Sequence, residues 1–153
     1  MPGVELKGSC HCGTVRFTLN SSSAVPYQLC TCSICRKCGG YGGSVNLGGH
    51  ADSLKILQGK EAIRQEHRAS SQRNFCSKCS SMLWLWDEHW PELIHPFASA
   101  IDSELALADE MTVVRTDSKP AYVRLPEGKK QVYELYGPES LESWHKKHGL
   151  WVE

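Results

Sequence analysis

Eight cysteines in three short groups set the limits on what this chain of 153 residues can become. They fall in "CHC" (10–12), "CTCSICRKC" (30–38) and "CSKC" (76–79). Cys10 and Cys12, and again Cys30 and Cys32, are separated by one residue. A disulfide ring across such a gap is strained, whereas two thiolates can both point at one ion. The opening "MPGVELKGSC" lacks the apolar stretch of a secretory signal, so a cytoplasmic protein is the expectation. In a reducing compartment, clustered cysteines serve metals or catalysis more often than disulfides.

A Cys-x-Cys or Cys-x-x-Cys knuckle offers two thiolates to one tetrahedral zinc, and two knuckles complete a structural site. One pairing joins Cys10 and Cys12 to Cys76 and Cys79 across 63 intervening residues. An ion held there would staple distant parts of the chain and constrain the unfolded ensemble. The central group stays open. By spacing, Cys30, Cys32, Cys35 and Cys38 could close a second all-cysteine site, or three could bind and leave a coordination place for a substrate.

The first two thirds of the chain read as short strands. "TVRFTLN" (14–20) alternates Val15, Phe17 and Leu19 with polar neighbours, as a half-buried strand does. "GGSVNLGG" (42–49) and "DSLKILQGK" (52–60) are short apolar runs bounded by turn residues. "SSMLWLWDE" (80–88) reads as a strand covered on both faces, Trp84 and Trp86 on one side, Leu83 and Leu85 on the other. The segment 30–43 reads as strand and glycine turns. One helix is expected in "GPESLESWHKKHG" (137–149), where Pro138, Glu139 and Glu142 suit the start, and Lys146, Lys147, His148 and Gly149 the end. Leu141 and Trp144 form its docking face, and His145 and His148 complement its dipole. The expectation is a single, mainly β domain, 1–153, with a C-terminal helix.

Lysine plus arginine equals aspartate plus glutamate, 17 against 17, which speaks against the basic footprint of a nucleic-acid binder. No run approaches the roughly 18 apolar residues of a membrane span.

In "GSCHCGTVRF" (8–17), "CTCSICRKCGG" (30–40) and "FCSKCSSML" (75–83) the chain resembles the glutathione-dependent formaldehyde-activating enzymes and their relatives, including centromere protein V. Weaker echoes follow in "SAID" (99–102) and "SKPAY" (118–122). The resemblance implies a zinc-bearing fold of several coiled β-sheets and two zinc ions per chain. Cys10, Cys12, Cys76 and Cys79 would hold a structural zinc, and Cys30, Cys32 and Cys35 an active-site zinc. Two positions depart from the family pattern. Cys38 stands where a small or variable residue is usual, as a spare thiol or a fourth ligand, and Ser80 replaces a glycine in a turn.

An open three-thiolate zinc suits the capture of a thiol, because coordination deprotonates it outright. The implied activity is that of a carbon–sulfur lyase acting on a small thiol adduct, chiefly S-hydroxymethylglutathione formed from glutathione and formaldehyde. Arg36 and Lys37 are candidates to offset the thiolate charge, and "GGYGG" (39–43) either admits a substrate backbone or forms a plain loop. His11, between two ligands, is expected to point away from the metal. Two other classes compete. A non-catalytic zinc scaffold for protein or nucleic-acid interaction would follow if Cys38 closed the second site. A thiol redox protein would use Cys35-Arg-Lys-Cys38, but that motif ordinarily opens a helix.

Overall fold

The computed structural model describes residues 2–153. Twelve strands and two helices follow one another. The first strands are β1 (Val4–Ser9), β2 (Arg16–Ser21) and β3 (Gln28–Cys30), followed by helix α1 (Ser33–Gly39). Next come β4 (Ser44–Val45), β5 (Gly49–His50), β6 (Lys55–Gln58), β7 (Ile63–Arg68) and β8 (Ser71–Cys76). The chain ends through β9 (Met82–Asp87), β10 (Leu93–Pro96), β11 (Met111–Val114), β12 (Lys130–Val132) and helix α2 (Leu141–Lys147). They assemble into three sheets, ordered β1-β2-β6, β5-β10-β9-β8-β7 and β12-β11-β3-β4. The mainly β expectation is met.

The core lies between the first two sheets. Val15, Phe17 and Leu19 are buried as their alternation predicts, joined by Leu6, Leu47, Leu83, Trp84 and Ile94. Phe17 meets Trp84 edge to face at 5.0 Å between centroids, a favoured aromatic geometry. Gly8, opposite Phe17 in the β1–β2 ladder, leaves room for that ring, since a Cβ there would collide with its edge. Strand β9 is covered on both faces at its middle, where Leu83 and Trp84 are both buried; Leu85 and Trp86 are only half-buried toward its end.

The long apolar run 42–49 is divided. It becomes two two-residue strands in different sheets, because Asn46 and Gly48 make isolated bridges to Phe97 and Ser23. The run 52–60 shortens to β6, preceded by a 3-10 turn at Ala51–Ser53.

Helix α2 starts on Ser140, whose hydroxyl accepts from the Ser143 N–H at 3.1 Å, an ordinary N-cap. Its Trp144 stacks on Tyr27 at 3.7 Å, and His148 stacks on the far face of Trp144 at 4.0 Å. Leu141 packs in the same cluster, so the docking face is as expected. His145 is not a dipole-complementing cation. It is fully buried, its Nδ1–H donates to the Leu141 carbonyl, and its Nε2 accepts from the Val25 N–H at 3.1 Å. That pair of bonds requires the neutral imidazole, and burial holds its pKa below the ordinary histidine value. The helix is thereby locked to the segment that leads into β3.

Candidate functional site

The first cysteine cluster forms where two chain segments meet. Cys10 and Cys12 lie in the turn between β1 and β2, Cys76 ends β8, and Cys79 lies in the turn before β9. Their four sulfurs all lie within 4.8 Å of one another. Cys10 Sγ and Cys12 Sγ are 3.6 Å apart, and Cys12 Sγ and Cys76 Sγ 3.9 Å. A tetrahedral zinc with sulfurs at 2.3 Å needs edges of about 3.8 Å, so the donor set fits that ion.

Neighbours favour thiolates at several of these positions. The Val15 N–H donates to Cys10 Sγ at 3.2 Å. The Thr14 hydroxyl, 3.1 Å from Cys12 Sγ, holds that thiol below its usual value, and the Ser81 hydroxyl does the same for Cys79. Cys76 is pushed up by burial, a cost that a cation would offset. His11 is exposed, and its N–H donates to Ser81 Oγ at 3.0 Å. It stands outside the sulfur cluster, as expected.

The second cluster is local. Cys30 ends β3, Cys32 is the N-cap of α1, and Cys35 is in the first turn of that helix, all three sulfurs within 4.8 Å. A helix here corrects the sequence expectation of strand and glycine turns. Ile34 and two cysteines, all indifferent helix formers, dominate the segment, and the cap is a sulfur: Cys35 N–H donates to Cys32 Sγ at 3.4 Å. Thr31, between Cys30 and Cys32, is buried, and its hydroxyl donates to the Val114 carbonyl at 3.0 Å, fixing the cluster to β11.

Cys38 lies outside the three-sulfur cluster, exposed one turn further along α1. The redox motif does lie in a helix, yet Cys35 is grouped with Cys30 and Cys32 rather than with Cys38. A hydrogen bond between Cys35 and Cys30 draws the Cys35 thiol down and pushes that of Cys30 up. The Ser44 hydroxyl, which has no other partner among the described residues, sits beside Cys35 and also favours its thiolate.

The basic and glycine residues divide between roles. Arg36 Nη1 donates to the Thr31 carbonyl at 2.5 Å and to Ser118 Oγ at 3.3 Å, so it braces the segment that carries the three cysteines. Lys37 is exposed and lines a groove of about 590 Å³ between α1 and β7, β8 and β9. Gly40 caps α1, and Gly43, at φ +119°, packs where any side chain would strike the Cys30 carbonyl. The "GGYGG" run is therefore the turn that brings β4 onto β3. Asp102 and Lys119 are structural: Asp102 accepts from the Ser9 hydroxyl at 2.5 Å, and Lys119 Nζ donates to the Val123 carbonyl at 2.8 Å.

One residue that the sequence reading missed adjoins the second cluster. Arg73, on β8, is nine-tenths buried, lines the groove beside α1, and acts on Cys35 as a nearby positive charge. No spacing signal marks it; only the fold brings residue 73 to residue 35.

The fold and the two thiol clusters define a cysteine-rich β protein with two groups of sulfurs that could each hold a metal ion. Residues 5–117 match the family described as "Glutathione-dependent formaldehyde-activating enzyme". A Halomonas elongata protein, provisionally named a glutathione-dependent formaldehyde-activating enzyme, is 44% identical over 154 residues, covering 95% of this chain and 97% of its own. The crystal structure of a Rhodobacter sphaeroides protein superposes with a TM-score of 0.56 at 21% identity, over 64% of this chain and 89% of that one. That likeness concerns the fold. The chain belongs to the glutathione-dependent formaldehyde-activating enzyme family. Among the described residues, no helix is long and apolar enough to cross a membrane.

Proposed function

We propose that residues 1–153 form one zinc-binding domain, a cytoplasmic carbon–sulfur lyase that interconverts glutathione and formaldehyde with S-hydroxymethylglutathione. Cys10, Cys12, Cys76 and Cys79 hold a structural zinc, and Cys30, Cys32 and Cys35 the zinc of the active site. The observation that carries this reading is the three-sulfur cluster with Cys38 outside it, beside a groove. Three ligands with a fourth place free are the pattern of a catalytic rather than a structural site. When bound, the metal supplies a way to hold a substrate thiol as its thiolate at neutral pH.

The chain's own groups do the rest. The Thr31 and Arg36 bonds fix the ligand loop against β11 and the turn at Ser118. The hydrogen bond with Cys30 and the Ser44 hydroxyl favour thiolate at Cys35, and the groove beside α1 gives the rest of the thiol a place to lie. In the forward direction the substrate sulfur forms a bond to the carbonyl carbon. The π electron pair moves to oxygen, which takes up a proton from water, while the thiol has released one to water. Positioning an activated thiolate against a small electrophile accounts for much of such a rate.

The test is exchange NMR on glutathione and formaldehyde with zinc-loaded protein, against a Cys35→Ser control at equal concentration. The expected result is faster interconversion with the native chain alone. Equal rates with the two proteins would sink the lyase reading and leave a zinc scaffold without catalysis.

A further inference from the structure

We infer that Arg73 is the anchor for a carboxylate of the thiol substrate, in the groove between α1 and the outer face of β7, β8 and β9. The inference rests on the reading that a thiol meets the Cys30–Cys32–Cys35 cluster, and it names what grips the remainder of that molecule.

Arg73 and Phe75 alternate with Asn74 and Cys76 along β8, so the first pair faces the groove while the second turns toward the core. Burial of a guanidinium is costly unless it is paired. Arg73 is nine-tenths buried, its Nε has no hydrogen-bond partner, and it makes no ion pair among the described residues. The carboxylate best placed to answer it is Glu66, its cross-strand neighbour. Glu66 is already bound to Arg68 at 2.8 Å. Lys37, on the opposite wall, also lacks an acidic partner among the described residues. The groove thus holds one neutralised pair and two uncompensated cations, one of them buried with an unfilled donor.

The missing partner is an anion with planar acceptor oxygens, because a guanidinium fork pairs with a carboxylate through two parallel bonds. The wall facing Arg73 is Ser33, Ile34, Lys37 and Cys38 of α1, the helix that carries Cys35. An occupant that joins groove to cluster must therefore carry both a carboxylate and a sulfur. Glutathione has one thiol and a carboxylate at each end. A carboxylate-bearing thiol meets both requirements, and a neutral thiol meets only one.

The rival account is that Arg73 merely offsets the charge of the thiolates. Calorimetry on the zinc-loaded chain separates the two, using glutathione, its diethyl ester and 2-mercaptoethanol. Glutathione is expected to bind the native chain about 10- to 100-fold tighter than the diester, the range for a charge-assisted pair. Arg73→Gln should erase that difference while leaving the affinity for 2-mercaptoethanol unchanged. Arg73→Lys should retain part of it, since lysine keeps the charge and loses the fork. Lys55→Gln, on a different sheet, should leave it intact. Where turnover is measurable, Arg73→Gln should raise KM for glutathione with kcat little changed.

Equal binding of glutathione and its diester, no glutathione binding at all, or a preference that survives Arg73→Gln would each overturn the inference. So would loss of zinc or of all thiol affinity in Arg73→Gln, which is the mark of the charge-offset role. If Arg73→Gln does not fold, the native chain and Arg73→Lys still decide it: the diester must bind more weakly, and lysine must narrow the gap. Carboxylate-dependent binding without turnover would keep this inference and reject the lyase; turnover without carboxylate dependence would do the reverse.

Discussion

The two cysteine clusters are built from the same ligand and teach opposite lessons. The first draws its sulfurs from the β1–β2 turn and from both sides of the β8–β9 turn, separated by 63 residues of chain. Its four sulfurs lie within 4.8 Å of one another, and the strands that carry them also carry the main core. The second takes three sulfurs from six consecutive residues at the end of β3 and the start of α1. It closes almost no loop, so an ion there constrains little of the unfolded chain. On the proposed reading, four remote ligands would make a staple, and three local ligands beside a groove would make a place for chemistry.

The widest gap between them should appear on ligand removal. Cys76→Ser takes a fully buried sulfur from the staple. Structural zinc binding contributes on the order of 10 kcal/mol to folding in small zinc domains, comparable with the whole stability of an ordinary domain. The expected result is loss of one zinc and loss of the cooperative thermal transition, read by metal analysis and circular dichroism. Cys35→Ser should lose the other zinc and at least ~100-fold in exchange rate, since it removes a ligand of the proposed reacting centre. Its thermal midpoint should fall by only a few degrees, as expected for about 1 kcal/mol. If both variants unfold alike, the division into staple and reaction site is wrong.

Cys38→Ser sharpens the same division. The thiol is exposed and outside the three-sulfur group, so the variant should still bind two zinc ions with unchanged affinity in a chelator competition. Loss of one ion would mean that Cys38 moves in to close the second site.

Acid releases metal from thiolates generally, so a comparison of the clusters by pH titration must first subtract another group. His145 is buried as the neutral imidazole, and burial, with His148 one turn away, lowers its pKa. The unfolded chain binds that proton more readily. Its contribution to stability is therefore complete above the unfolded histidine value of ~6.5, and it is lost as pH falls from there toward the folded value. The slope attributable to this one group is at most about 1.4 kcal/mol per pH unit. Denaturant midpoints at pH 7.5 and 5.5 should differ less in His145→Gln than in the native chain, and an equal difference would show that His145 does not titrate on unfolding.

How legible the molecule was follows the same divide between local and remote. The β2 alternation, the buried middle of β9 and the Leu141–Trp144 face are local patterns, and the structure keeps them. Helix α1 was hidden because its residues have weak propensity and its cap is a cysteine sulfur, a signal with no ordinary counterpart among serine, threonine and aspartate caps. His145 was misread because burial depends on Val25, 120 residues away in sequence. Arg73 was invisible for the same reason: its isolation is made by Glu66 turning to Arg68. The cysteine groups were legible because ligand spacing is itself a local pattern. What they face was not.

The smallest effect concerns the rim of the staple. Ser80 follows Cys79 and holds φ at +66°, in the left-handed region, while its N–H donates to the Cys76 carbonyl at 2.8 Å. That bond closes the turn that sets the two sulfurs side by side, so the backbone conformation is required by the cluster rather than by the side chain. A non-glycine residue there costs on the order of 1 kcal/mol, and glycine would remove that strain. Glycine also has more freedom to lose on folding, which costs roughly 0.5–1 kcal/mol. The two terms nearly cancel. Ser80→Gly should therefore leave stability within about 0.5 kcal/mol of the native value, with both zinc ions retained. A clear loss of stability would mean that the serine side chain supports the staple, and that the turn is held by more than its metal and its one backbone bond.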